Sequence, residues 1–193
     1  SNSHYKIDKI FMINFSNIKS ILLIIFFGLI TSCSSNQSMK PQDFKDKKPR
    51  LIIEEYLSGN VKAWGILQNR SGKVTRQFSA TLNGNWDGKK LILDEKFNWN
   101  DGEVQDRQWH ITKLDEHNYE GTASDVVGKA KGYSYGPAFK FEYVLLVPVK
   151  GKEIKITFDD WIFMQDEKVA INRAKMTKFG FKVAELTVFF VKE

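Results

Sequence analysis

Cysteine and histidine are scarce in this chain, with one Cys and three His in 193 residues. A single thiol excludes an intramolecular disulfide and a thiolate cage for zinc. Three imidazoles leave little from which to build a metal site or a catalytic triad, and no aspartate-rich calcium loop is present, so no metal and no cofactor is expected. Gly-x-Ser-x-Gly, His-Glu-x-x-His and glycine-rich phosphate loops are all missing, so no catalytic residue is assigned. Proline is rare as well, at four residues, whereas apolar residues make up 42% and aromatics 13%. That balance argues for one packed domain rather than disorder. The net charge of +6 is not spread evenly. The first fifty residues carry eight bases and three acids, which leaves 21 and 20 for the rest. The body is therefore nearly neutral and shows no run of Lys and Arg, which disfavours nucleic acid as a partner.

What is present begins with an address. From Met12 the chain has a basic Lys19, then ten uncharged apolar residues, Ile21–Ile30. A spanning helix needs about 20 such residues, so this run fits the apolar core of a secretory signal instead. The following Ile30-Thr31-Ser32-Cys33 resembles a bacterial lipobox, in which the cysteine receives lipid after cleavage before it. Residues 1–32 are thus read as an upstream extension (1–11) and a lipoprotein signal. Residues 33–50 are read as the lipidated Cys33 and a flexible, cationic tether, whose charge serves either to hold it beside anionic headgroups or simply to keep it soluble. Ser34, rather than Asp, follows the cysteine, which resembles sorting to the outer membrane, facing the periplasm, in Gram-negative bacteria.

Residues 51–193 form the third unit. Nine turn signals, among them Asp87-Gly88, Asn100-Asp101-Gly102, Lys150-Gly151 and Phe179-Gly180, separate ten runs rich in Val, Ile, Thr and aromatics. The runs fall at about 60–69, 73–86, 89–99, 103–114, 118–126, 128–135, 139–148, 153–164, 168–178 and 181–191. Short hairpins at even spacing predict an all-β, antiparallel up-and-down meander. Ten twisted strands curl and lose their edges by closing, which gives a barrel of the lipocalin or fatty-acid-binding-protein kind. Pro49–Gly59 is expected to form a short lid or a leading strand.

Alternation assigns the faces. Leu91, Leu93, Glu95, Phe97 and Trp99 share one side, and Arg107, Trp109 and Ile111 share a side of the next strand. A three-residue loop at Asn100–Gly102 sets Glu95 opposite Arg107 and Leu93 opposite Trp109, with the apolar residues inside. In a second hairpin, pairing Met164 with Lys168 sets Asp159 opposite Arg173 and Asp160 opposite Asn172. Both faces there are apolar, and either pair can point inward. Arg76, in register with Phe78, Ala80 and Leu82, is a third candidate inward charge. The Gly- and Ala-rich stretch Tyr119–Gly132 reads either as a wall beside a cavity or as relief of crowding at barrel corners.

Several short strings occur in order: Glu55-Tyr56-Leu57-Ser58-Gly59, Ala63-Trp64-Gly65, Gly84-Asn85-Trp86-Asp87-Gly88, Leu91-x-Leu93-x-Glu95-x-Phe97, Arg107-x-Trp109-x-Ile111, Ala123-Ser124-Asp125-Val126-Val127-Gly128, Phe158-Asp159-Asp160-Trp161 and Lys178-Phe179-Gly180-Phe181. Over residues 38–193 the chain resembles domain-of-unknown-function family 3833, a family of proteobacterial lipoproteins. The resemblance implies a lipobox and a lipocalin-like domain, and no established activity. Genes of such proteins often lie near enzymes resembling cyclopropane-fatty-acid synthase, which directs attention to membrane lipid.

Three functions compete. The first is a membrane-anchored binder or carrier of an apolar ligand, a fatty acid or modified acyl chain, accessory to envelope lipid metabolism. Arg107 would fix its carboxylate, with Glu95 as partner in the empty state and Trp109, Trp99 and Phe97 as walls; the alternative for the Arg107–Glu95 pair is a purely structural one. The second is a scaffold lipoprotein docking an unidentified protein partner. The third, a lipid-modifying enzyme, has the least support: the adjacent acids Asp159-Asp160 and Asp94-Glu95 point to opposite faces of a strand and cannot share a site.

Overall fold

The structure is a computed structural model, and it describes residues 38–193. Cys33, the signal-like run and residues 33–37 of the expected tether lie outside the described residues. Ten strands follow one another around a closed antiparallel barrel. They are β1 (Gly59–Asn69), β2 (Val74–Trp86), β3 (Lys90–Trp99), β4 (Val104–Lys113), β5 (Asn118–Thr122), β6 (Ala130–Tyr135), β7 (Ala138–Val149), β8 (Lys152–Met164), β9 (Val169–Lys178) and β10 (Phe181–Lys192). Each strand pairs with its neighbour in sequence, and β1 pairs with β10 to close the ring. No helix among the described residues is long and apolar enough to cross a membrane.

The period-two pattern sets the inside. Val61 and Ala63 on β1, Phe78, Ala80 and Leu82 on β2, Leu91 and Leu93 on β3, and Trp109 and Ile111 on β4 are all buried. The β3–β4 register is the expected one: Glu95 faces Arg107, Leu93 faces Trp109, and Gly102 takes a φ of +89° in the loop. A slip of one residue would turn all of these side chains outward.

Three expectations need correction. First, β5 stops at Thr122 and β6 starts at Ala130, so the stretch between them leaves the ladder. Its Ala, Ser and Gly content gives little β-propensity. It lies along β7 instead, where Val126 bridges Leu145 and the Val127 N–H donates to the Val144 carbonyl at 2.9 Å. Second, Met164 pairs with Ala170 rather than Lys168, which sets Trp161 opposite Arg173 and Asp159 opposite Lys175. The cause is Asp166, whose carboxylate accepts the backbone N–H groups of Lys168 and Val169, each at 2.8 Å. This holds the loop three residues long, starting one residue later. A two-residue slip preserves the faces: Asp160 and Asn172 point inward, Asp159 and Arg173 outward. Third, packing starts upstream of residue 51. Pro41–Phe44 forms a 3-10 turn, and the Phe44 ring lies 5.4 Å from Phe163 and 6.1 Å from Trp161 on the outer wall. That contact explains why the outer face of β8 is apolar.

One end of the barrel is stoppered. Leu51, Ile53, Tyr56 and Leu57 are buried around a single helical turn, α1 (Ile53–Tyr56). The segment expected to form a lid or a leading strand is thus a plug. Burial works against the charge on Glu54, but Lys113 and Tyr119, which both donate to its carboxylate, outweigh this and hold its pKa below the ordinary value. The plug reaches deep because Gly84 has no side chain: a Cβ there would stand 1.9 Å from the Leu57 carbonyl oxygen. Gly121 and Gly132 serve Phe141 and Phe139 in the same way, since a Cβ at either would press within 3 Å of those rings. The small residues of β5 and β6 thus make room for aromatic filling in the lower half.

Gly84→Ala is expected to lower stability by about 1–3 kcal/mol, the usual cost of overpacking against groups that cannot yield. Urea denaturation of the variant measures this, and an unchanged midpoint would mean that the plug is loosely seated.

Candidate functional site

Halfway up the barrel the apolar interior is interrupted by a belt of polar side chains. Arg107 on β4 is its centre. Its Nε donates to both carboxylate oxygens of Asp125 at 3.1 Å, and its Nη2 donates to Oδ2 at 2.7 Å. This fork is the strong, charge-assisted kind of contact. Nη1 stands 3.7 Å from Glu95 Oε2, too far for a hydrogen bond. Only 13% of the Arg107 side chain and 12% of the Glu95 side chain are exposed. Glu95 Oε2 is buried without a hydrogen-bond partner. Across the lumen, Asp160 accepts the Tyr143 hydroxyl at 3.0 Å and the Asn172 amide.

The belt thus sets three carboxyl groups against one guanidinium, and burial answers by holding protons. Desolvation lifts Glu95 to about 7, against the pull of Arg107. Desolvation likewise lifts Asp160 to about 6, opposed by the hydrogen bonds from Asn172 and Tyr143. The Tyr143 hydroxyl is pushed well above the ordinary tyrosine range by burial and then by Asp160, so it stays a donor.

Below the belt, the rings of Phe78, Trp109 and Phe141 and the aliphatic chains of Leu93 and Ile111 leave a void of only about 100 Å³ between belt and plug. Above it a cavity of about 440 Å³ opens toward the loops at the other end. Phe97, Trp99, Leu145, Val147, Phe158 and Met176 give it apolar walls, and Arg107 and Asp125 form its floor. That volume lies within the range of small-molecule sites. Arg76 stands at the rim, 3.9 Å over the Trp99 ring and paired with Asp101 and Glu103 at 2.7 Å each. A wider, more open cleft of about 590 Å³ runs over Asn83, Asp94, Lys96 and Gln108 on the outer wall and reaches in to Glu95 and Arg107.

The five residues singled out from sequence fall unequally. Glu95, Arg107 and Phe97 meet at the belt, with Arg107 Cζ 5.8 Å from the Phe97 ring centre. Trp99 stands in the wall of the upper cavity, its Nε1 donating to Gln105 at 3.3 Å. Trp109 lies below, against Phe141 and Tyr143, and lines only the small void. Asp125 was missed as the principal partner of Arg107, because it sits where the strand pattern breaks. Tyr143 was missed too, although it alternates in register with Phe139 and Phe141 and was legible on that ground. The Arg107–Asp125 pair also spans a gap in the wall: β4 pairs with β5 only over His110–Lys113, so Val104–Trp109 has no strand partner on that side.

Solved structures share this shape at low identity. An S-type phycobiliprotein lyase, CPES, from Guillardia theta superposes with a TM-score of 0.54 at 9% identity, covering 72% of this chain and 90% of that one. A protein of unknown function from the DUF3598 family of Nostoc punctiforme gives a TM-score of 0.57 at 14% identity, over 76% of this chain and 51% of that one. These likenesses show the fold alone. No curated protein matches the chain. A family model described as "Protein of unknown function (DUF3833)" matches residues 27–192.

The belt has a pH signature. Between pH 4.5, the ordinary value for Glu95, and about 7, the folded protein keeps protons that the unfolded chain has released. Stability therefore falls as pH rises through that window. Each pKa unit by which burial lifts a carboxyl is worth about 1.4 kcal/mol, so Glu95, lifted from 4.5 to about 7, contributes a loss on the order of 3 kcal/mol. Glu95→Gln should flatten the profile of unfolding free energy against pH in urea titrations and exceed the parent in stability above neutrality. An unchanged slope would show that Glu95 is ionised throughout.

Proposed function

This chain belongs to the DUF3833 family, and we propose that its barrel binds a small apolar ligand, an acyl chain above all, in the cavity above the belt. The observation that carries this reading is a cavity of about 440 Å³ with apolar walls, one open end and a buried charged floor. The lower half is packed with rings, so the ligand stops at the belt rather than running the length of the barrel. Its apolar part lies against Phe97, Trp99 and Phe158, and its polar end meets Arg107 and Glu95. We further propose that Cys33 carries lipid and holds the protein at the outer membrane, facing the periplasm, where it serves envelope lipid metabolism. The lipobox-like Ile30–Cys33 supports this part of the reading.

A fatty-acid carboxylate has a specific obstacle. Arg107 is already held by Asp125 along its Nε–Nη2 edge, so a carboxylate gains that paired edge only by displacing the Asp125 carboxyl group, and otherwise meets Nη1 beside Glu95. Asp125 is the more mobile partner by construction: its segment is tied to β7 by one bridge and a few backbone bonds, not by a ladder.

Delipidated protein titrated with fluorescent fatty acids of several chain lengths should bind at micromolar levels or tighter. Asp125→Asn should tighten fatty-acid binding severalfold by freeing Arg107, and Arg107→Met should weaken it. No binding by the parent at any chain length removes the reading. Binding that ignores both substitutions would keep the cavity and discard the role of the belt.

A further inference from the structure

The open end of the barrel carries a surface that the cavity does not use. Three hairpin tips stand side by side there, because β2–β1, β10–β9 and β8–β7 are successive pairs around the ring. The tip after β9 exposes Phe179 and Phe181, 89% and 71% accessible, the two most exposed large apolar residues among those described. The neighbouring tips expose Val74 and Val149. The same three tips, residues 69–74, 149–153 and 178–182, hold six cations (Arg70, Lys73, Lys150, Lys152, Lys178 and Lys182) against one acid, Glu153. Beside them, Glu185 on β10 pairs with Lys182 and Arg173. At the next tip around the rim, between β3 and β4, the acids Asp101 and Glu103 are taken up by Arg76 on β2.

The backbone adds a separate observation. Phe179-Gly180 and Lys150-Gly151 are two-residue turns in which both residues have positive φ, +51° and +80° in one, +50° and +76° in the other. Such turns favour Asn or Asp at the first position, since a larger side chain there is strained. A phenylalanine at that site spends stability to hold a ring out in water. Lys178 stands 5.4 Å over the same ring.

We propose that this arc docks on an anionic lipid bilayer, with Phe179, Phe181, Val149 and Val74 dipping into the headgroup region and the six cations resting on lipid phosphates. Apolar tips ringed by cations are what an anionic interface selects: insertion removes the rings from water, and each cation near the surface adds attraction. The body as a whole is close to neutral, so the patch is an asymmetry of placement rather than of composition. Docking there turns the cavity mouth to the membrane. The surface stands on its own tips and holds whatever the cavity contains.

The test uses the full chain with Cys33→Ser, which removes its single thiol. A polarity-sensitive dye is placed on Phe181→Cys at the rim or, separately, on Glu167→Cys at the stoppered end. Vesicles of equal parts phosphatidylglycerol and phosphatidylcholine should shift the rim dye to the blue and leave the other unchanged. Pure phosphatidylcholine should shift neither. Lys150→Glu with Lys178→Glu should weaken the response about tenfold or more without moving the melting temperature. The proposal is overturned if the rim dye stays in water, if only the Glu167 position responds, if both lipid mixtures act alike, or if duplex DNA or another protein elicits the shift and vesicles do not.

Discussion

A buried guanidinium is the constraint around which this barrel is arranged. Where the β4–β5 ladder ends, Arg107 takes over the closure of the wall by gripping Asp125 on a segment that has left the sheet. Removing one member of such a pair leaves a charge stranded in an apolar lumen, which costs about 3–5 kcal/mol. The same side chain divides the interior into a ring-filled lower half and an open upper one. Wall, floor and cavity therefore depend on one interaction.

The carboxyl groups around that centre outnumber it, and the outcome is a shared proton economy rather than a fixed set of ion pairs. Glu95 and Asp160 titrate near neutrality because burial favours their neutral forms. A belt of this kind tolerates a visitor better than a fully satisfied network does. Glu95 Oε2 has no hydrogen bond to lose, and Asp125 is attached to a loosely held strip of chain.

Much of the fold was legible in the residues. Period-two alternation and Gly-containing turns locate ten strands, and Gly102 fixes the β3–β4 register that brings Glu95 opposite Arg107. Alternation failed where side chains stopped deciding the backbone. Ala123–Lys129 has too little apolar bulk to hold a place in the ladder, so the position of Asp125 was not readable. The β8–β9 register differs by two residues from the pattern-based one because Asp166 closes the loop through backbone N–H groups, a local hydrogen-bond effect that pattern matching overlooks. The cationic arc was invisible for another reason. Its members lie at 70–73, 150–152 and 178–182, and only the ring order of the strands makes them neighbours.

The missing rungs beside β4 have a mechanical meaning. Parting Arg107 from Asp125 breaks no ladder of that wall, so the seam can unzip while the cylinder keeps its shape. The cylinder is riveted there at one point where elsewhere it is sewn along its length, so a change of charge at either residue acts on the shell itself as well as on what it encloses.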